Sequence, residues 1–502
     1  MRVALIALVL SLWIFLVVAF VVQIGGEALD DFFITYRYAQ NLAAGRGLVF
    51  NPGERVFGTT APGLALLLAA LHLVTRIPIH WAGTLLTAIA LLGIGLMLLR
   101  EAEESARLPE ALAGGTLLMA STFLWGVHGA ETHLLLAFLL LAAHLIDRRP
   151  ATAGVLAGWA VWLRPDAVIG AGLLGLLLLG RRSQALFRYS AAVVVVVILG
   201  AGLAYAWFGE LLPQTWAAKR AAAGDAETAE ITSAFAAFWA PSAPLLRRHL
   251  GDFWPLVLGA GALGLWPLSR LAGLPGKLLA MDALALALIY PFLGVSFASW
   301  YVVPVIAAVL YGLAFAVGTV ARGVAAWVRR PLARALLALV TAAVLLAVPV
   351  RSIAPKALRW YRGAGNPLHH SGYRAAGEWI RDHSAHSASI AFVEVGTLAY
   401  YSDRIVEDLM GLVTPRSQPY VAAGDLEGAF LAQPTEFVLV RPGLEGFMGQ
   451  IVTQPWFNNA YHRVLELDGG THDWTVIYRR RDGAALPPPR PVRSRPRTQG
   501  GT

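Results

Sequence analysis

The chain has 502 residues, 57% hydrophobic and 14% charged, and its apolar residues gather in runs long enough to cross a bilayer, which excludes an ordinary soluble protein. The formal charge of +9 does not call for a nucleic-acid partner, because Arg479, Arg480, Arg481, Arg490, Arg493, Arg495 and Arg497 against Asp482 supply +6 of it at the C-terminus. Cysteine is absent, so disulfides, thiolate metal sites and cysteine nucleophiles are excluded.

The first element, an apolar run over residues 3–22 behind Arg2, is longer than a signal-peptide core and lacks a small-x-small cleavage site. It reads as an uncleaved span with the N-terminus in the cytoplasm. Taking this span as 3–23, ten more follow at about 80–99, 110–126, 132–146, 151–164, 167–180, 187–208, 253–269, 278–296, 301–320 and 334–350. Residues 61–77 do not cross in this reading: Leu64 to Val74 is brief and bounded by Pro62, Arg76 and Pro78, as in a re-entrant or juxtamembrane helix. Segments carrying Arg148 and Arg149, Arg181, Arg182 and Arg188, Arg270 and Lys277, and Arg322, Arg329, Arg330 and Arg334 alternate with loops poorer in cations. The positive-inside rule makes them cytoplasmic, which leaves residues 24–60, 127–131, 164–167, 209–252, 297–301 and everything after 351 outside.

After Arg351 the hydropathy falls. Tyr373 to His383 has the spacing of an amphipathic helix, and Ser389 to Val395, Glu436 to Arg441 and Trp474 to Tyr478 have that of short strands. The expected fold class is a polytopic α-helical membrane protein of about 11 transmembrane helices with a C-terminal α/β extracytoplasmic domain. The expected division is a membrane domain over 1–350, the α/β domain over 351–480, and a basic, proline-rich disordered tail over 481–502.

The first outer loop is the richest in chemistry. Asp30 and Asp31 stand side by side at the mouth of a span, ahead of Tyr36, Arg37, Tyr38 and Asn41. Adjacent helical residues diverge by about 100°, so one carboxylate meets an acceptor while the other turns to a cation, a metal or structure. The plainer alternative is that both cap the helix of residues 32–43. Aromatic faces, a cation and amides are what sugars and phosphates need, which makes Tyr36, Arg37 and Asn41 substrate-binding candidates. Arg164 and Asp166, between two short spans, face an aqueous cavity or each other, and Glu131 ends a loop on the same side. Trp300 and Tyr301 suit an interfacial aromatic belt or stacking on a sugar or isoprene. Lys219, Arg220, Arg247 and Arg248 offer cations for a phosphate or for solvent. His128, Glu131 and His133 lack the spacing of a zinc helix.

The run DDFFITYRYAQNLAAGRGLVFNPGERVFGTTAP, residues 30–62, resembles the first outer loop of the bacterial GT-C membrane glycosyltransferases, particularly the terminal β-(1→2)-arabinofuranosyltransferase type. Gly129-Ala130-Glu131-Thr132, Leu163-Arg164-Pro165-Asp166 and Phe208 to Thr215 followed by Lys219 are similar to later elements of that group. So are Val393 to Ser402 and Asp408 to Leu412 in the C-terminal domain. The chain departs from the group where Phe57 to Leu64 replaces an acid, an aromatic and a tryptophan. That puts the sugar, the linkage and the acceptor groove in doubt.

The resemblance implies the GT-C fold and transfer of a sugar from a polyprenyl-phosphate donor to a glycan acceptor outside a bacterial-type plasma membrane. Asp30 or Asp31 would act as base, with inversion at the anomeric carbon. Arg37 and Lys219 would hold the phosphate, and Tyr36, Glu131, Arg164 and Asp166 would bound the cavity. A divalent cation (Mg, Mn or Ca) would take Asp30 and Asp31 as ligands, and the residues leave its presence open. Transfer of another sugar to protein, lipid A or wall polysaccharide stands as the alternative within enzymes. A lipid-linked glycan transporter or binding protein stands outside them.

Overall fold

In the computed structural model, residues 2–104, 106–179, 183–215, 231–293, 295–361, 371–441, 444–467 and 475–489 are described. The chain forms two compact units. The first comprises Met1–Ala28, His80–Gly200 and Thr228–Leu368; the second comprises Leu29–Ile79, Ala201–Glu227 and His369–Thr502.

Each of the eleven expected spans falls on helix, because a backbone in hydrocarbon must satisfy its own hydrogen bonds. Six helices among the described residues are long and apolar enough to cross a membrane: Arg2–Ile24, Ile79–Ala102, Ser183–Phe208, Gly273–Phe292, Ser299–Ala325 and Pro331–Arg351. Glu131–Leu145, Pro150–Leu163 and Ala167–Leu178 are shorter apolar helices. Within the first unit, Gly264 lies so close to Gly312 that a Cβ would overlap the Gly312 carbonyl. Helices Trp254–Leu271 and Val303–Ala325 thus meet backbone to backbone, the small-residue contact that membrane helices use where burial of apolar surface supplies no drive.

Two boundaries differ from expectation. The span expected over 110–126 is two helices, Leu108–Met119 and Thr122–Gly126, because the Ser121 hydroxyl accepts the Leu124 N–H at 3.3 Å and starts a new helix. The helix Pro331–Tyr361 runs past residue 351, where the C-terminal domain was expected to begin. Falling hydropathy marks where apolar surroundings end, not where a helix ends.

The second unit carries a five-stranded sheet in the order β2-β1-β3-β5-β4, with β1 Ser389–Phe392, β2 Ile405–Asp408, β3 Phe437–Val440, β4 Tyr461–Leu467 and β5 Thr475–Arg480. β1 lies parallel to β2 and β3, with Ile390 opposite both Val406 and Phe437, and β5 runs antiparallel to β3 and β4. The helix Ser371–His383 lies where the amphipathic pattern put it. Trp474, expected to begin a strand, is outside the described residues, as is the tail from residue 490.

The segment expected to be the first outer loop, grouped with the membrane domain in the sequence, packs in this second unit. Its helix Asp30–Ala43 lies against the helix Gly396–Ser402 and against Pro62–Thr75. Pro62–Thr75 has 14 residues, about 21 Å at 1.5 Å per residue, too short for a bilayer core of about 30 Å.

Candidate functional site

In the first unit the sequence Arg164-Pro165-Asp166 is a helix breaker. The residue before proline is driven from the helical region, and Arg164 sits extended at φ −157°, ψ 136° as the C-cap of Pro150–Leu163. The next helix, Ala167–Leu178, begins directly after Asp166. The arginine and the aspartate are thereby held at the seam between two helices.

Arg164 is buried and makes a bidentate pair with Asp166 (Nε to Oδ1 3.0 Å, Nη2 to Oδ2 3.2 Å). Nη1 donates to Glu131 Oε1 at 2.9 Å and Nη2 to the Tyr290 hydroxyl at 3.3 Å. Tyr290 in turn donates to Asp166. The guanidinium also lies 4.7 Å from the Tyr301 ring centroid, and Tyr301 stacks on Tyr290 at 5.0 Å with the planes 8° apart. Trp300 meets the Tyr301 ring edge to face at 5.7 Å. Five sequence-selected residues (Glu131, Arg164, Asp166, Trp300, Tyr301) therefore converge.

Arg164, Asp166 and Tyr301 line, with Tyr290, Asp282 and Thr132, a narrow crevice. Asp282 Oδ2 and Thr132 Oγ1 are buried and lack a hydrogen-bond partner. One cation faces three carboxylates here, which favours hydroxyl-rich ligands over a bare phosphate. Tyr290 and Asp282 were missed in the sequence. Asp282 carried a usable signal, a lone carboxylate inside an apolar span.

In the second unit the aspartate pair divides. Asp30 is 7% exposed, and its carboxylate accepts the backbone N–H groups of Gly396 (3.0 Å) and Thr397 (2.7 Å). It caps the helix Gly396–Ser402, not its own, whose N-cap is Leu29 without a side-chain bond; for Asp30 the self-capping alternative is thus corrected, although both aspartates lie in the first turn of their own helix. Gly396 is required at this contact, since a Cβ would overlap the Asp30 carbonyl oxygen. Burial pushes the Asp30 carboxyl up to about 7, with the nearby charges of Glu394 and Asp31 adding to the rise and the Thr397 bond opposing it. Asp31 is exposed.

Tyr36, Arg37 and Asn41, expected against a substrate, are interior. Tyr36 is fully buried and packs edge-on against Phe33 and Tyr400. Arg37 is ion-paired to Asp403 and donates to Gln40 Oε1 (2.8 Å) and the Phe50 carbonyl (3.3 Å). Burial pulls its guanidinium below the ordinary value against the opposing pull of Asp403. Asn41 donates to the Val49 (2.8 Å) and Phe50 (2.7 Å) carbonyls and accepts from Arg46 (2.7 Å), which fixes the Gly45 to Phe50 turn. The density of polar side chains in this loop reflects docking onto the sheet domain, which no local pattern reveals. Lys219 lies outside the described residues.

The remaining motif residues also hold the loop. The Asn51 amide donates to the Val406 carbonyl and accepts the Val406 N–H, both at 3.0 Å. It thereby supplies to the edge strand β2 the two bonds that a neighbouring strand would make. Arg416 bridges Glu54 at 3.2 Å to Glu407. Asp408 accepts the N–H groups of Met410 (2.8 Å) and Val413 (2.9 Å), and burial pushes its carboxyl up to about 6. Among the described residues, no group of three or more His, Asp or Glu is placed to hold a metal ion, and both Asp30 oxygens are already used by backbone donors.

Residues 361–484 match the profile of a family described as a domain of unknown function (DUF8728). No curated protein matches the chain by sequence. Similar solved structures include ArnT from Cupriavidus metallidurans bound to undecaprenyl phosphate, 14% identical with a TM-score of 0.58 over 97% of this chain and 100% of that one. Its apo state gives 0.56 at 14% identity over 97% and 99%. The Archaeoglobus fulgidus oligosaccharyltransferase tethered with an acceptor peptide gives 0.52 at 12% identity over 93% of this chain and 74% of that one. The chain is a multi-pass membrane protein with the GT-C fold and a C-terminal α/β domain.

Proposed function

We propose that the chain transfers a sugar from a polyprenyl-phosphate donor to a glycan acceptor on the outer face of a bacterial-type plasma membrane. The observation that carries this reading is the full-length likeness to ArnT, a structure that holds undecaprenyl phosphate. The likeness to an archaeal AglB with an inhibitory peptide and dolichol-phosphate supports it. The outward orientation follows from the cytoplasmic placement of the basic loops. Arabinofuranose as the sugar rests on the first-loop resemblance, against which stands the altered Phe57 to Leu64 stretch.

In this reading Asp31 is the base and Asp30 its positioning neighbour, because Asp30 is occupied by two backbone donors and Asp31 is exposed. The acceptor hydroxyl oxygen attacks the anomeric carbon and gives its proton to Asp31. The bond from that carbon to the phosphate oxygen breaks, its electron pair leaves with the lipid phosphate, and the configuration inverts. Phosphate needs no separate acid to depart. Glu131, Arg164 and Asp166 bind sugar hydroxyls, with Tyr301 as an apolar face. Arg37 is ion-paired to Asp403, and Lys219 remains the candidate for the lipid phosphate.

The test is transfer from a panel of polyprenyl-phosphate sugars by the purified wild type, Asp31→Asn and Asp30→Asn. Loss of about 10²- to 10⁴-fold in turnover for Asp31→Asn, with donor binding and melting unchanged, is expected. Full activity of Asp31→Asn would remove it as base, and a wild type that binds donors without transferring would remove the enzyme reading.

A further inference from the structure

The second unit contains a cavity of about 430 Å³ walled by Arg37, Pro52, His386, Asp403 and Arg404, within the size range of small-molecule sites. Its electrostatics are unbalanced. Arg37 is 1% and Arg404 6% exposed, and Arg46, outside the wall, is half-buried. The carboxylate bonded to this group is Asp403, shared between Arg37 and Arg46, the latter at 3.0 Å. Arg404 donates instead to neutral oxygens: the carbonyls of Arg381 (2.6 Å), Ser384 (2.9 Å) and Ser402 (3.2 Å), and the Ser384 hydroxyl (3.0 Å). Arg37 and Arg46 thus share one carboxylate, and Arg404 is bonded to none.

Asp403 occupies a position that few residues tolerate. It terminates the helix Gly396–Ser402 in the left-handed region at φ 50°, and aspartate and asparagine adopt this conformation more readily than most. Burying guanidinium charge beyond what a carboxylate neutralises is costly unless an anion completes the set. Arg404 Nη1 lies 3.5 Å from His386 Nδ1. Since arginine only donates, Nδ1 is the acceptor of this contact, and Nε2 is the ring nitrogen that this exposed residue of the wall has left for a ligand.

We propose that this cavity is an oxyanion site that takes a phosphate or carboxylate group, carried either by a soluble glycan or by an anionic lipid headgroup. Its cations complement a group of one or two negative charges, and Asp403 is the internal competitor that tunes affinity. The site does not depend on the glycosyl-transfer reading, and the test reads binding alone.

The full-length protein is reconstituted in phosphatidylcholine nanodiscs and titrated with inorganic phosphate and with glucuronate, with melting temperature as the readout. The same protein is also melted in phosphatidylglycerol nanodiscs without added anion. Stabilisation by the soluble anions, about tenfold tighter in Asp403→Asn as expected for removing one nearby charge and severalfold weaker in His386→Ala, establishes a site for a soluble anion. Stabilisation only in phosphatidylglycerol, with the same ordering of variants, assigns the site to a headgroup. Absence of stabilisation in every arm, or equal affinity in wild type and His386→Ala, overturns the proposal. His386 is exposed, so its variant keeps the test independent of any folding defect in Asp403→Asn.

Discussion

The carboxylate of Asp30 accepts the backbone N–H of Thr397 at 2.7 Å, joining residues 367 positions apart in the chain and tying the helix Asp30–Ala43 to the sheet domain. The contact gives the two aspartates different work: Asp30 organises the second unit, and Asp31 is left at its surface.

Burial of the Asp30 carboxyl at this contact makes stability depend on pH. The Asp30 carboxyl rises from an ordinary 3.8 to about 7 on folding, so the folded protein binds its proton more tightly than the unfolded chain. The stabilising contribution is complete below about pH 4 and is lost as pH rises through about 7. Three pH units correspond to at most about 4 kcal/mol. Thermal melts at pH 5 and pH 8 are expected to show a larger fall for wild type than for Asp30→Asn, which cannot ionise.

Gly396→Ala places a methyl group into the Asp30 carbonyl oxygen. Neither backbone can yield without breaking the cap, so a loss of about 1–3 kcal/mol is expected, the usual cost of overpacking. Faster proteolysis of the first outer loop in the variant than in wild type would be its signature.

Asn51→Leu keeps the bulk but removes both bonds to Val406. With Asn51 only 2% exposed, the Val406 N–H and carbonyl lose their partner away from water, at about 1–3 kcal/mol for each group. Hydrogen exchange at Val406 should accelerate, while the amides of β3 and β5 at the sheet centre change less.

Arg164→Lys tests the node in the first unit. Lysine keeps the charge but cannot bridge Asp166 bidentately and reach Glu131 and Tyr290 together. Breaking a buried pair of this kind costs about 3–5 kcal/mol. A lower melting temperature, partly recovered when Glu131→Gln is added, is expected; unchanged melting would show that the node is not a structural unit.

Much of the architecture was written in local pattern. Runs of apolar residues, several of them shorter than a bilayer, placed every expected span on helix, and the amphipathic spacing of Tyr373 to His383 placed the helix ahead of the sheet. Residues 405–408 escaped because strand β2 ends in Glu407 and Asp408, acids that tertiary bonds allow to be buried. The convergence of Glu131, Arg164 and Asp166 was partly legible, since charges at span ends seek one another or an aqueous cavity. Tyr290 and Asp282 joined them through helix packing, which sequence spacing does not encode.

By itself, then, the sequence determined that the chain lives in a membrane, where its helices lie and which residues are chemically exceptional. Only the tertiary structure decided which partners the described exceptional residues meet. Hydrophobic periodicity is a property of neighbours in the chain, whereas the partner of a buried polar group is chosen by segments hundreds of residues away. For that reason Tyr36, Arg37 and Asn41 turned inward, and Asp30 parted from Asp31 although the two stand side by side in the chain.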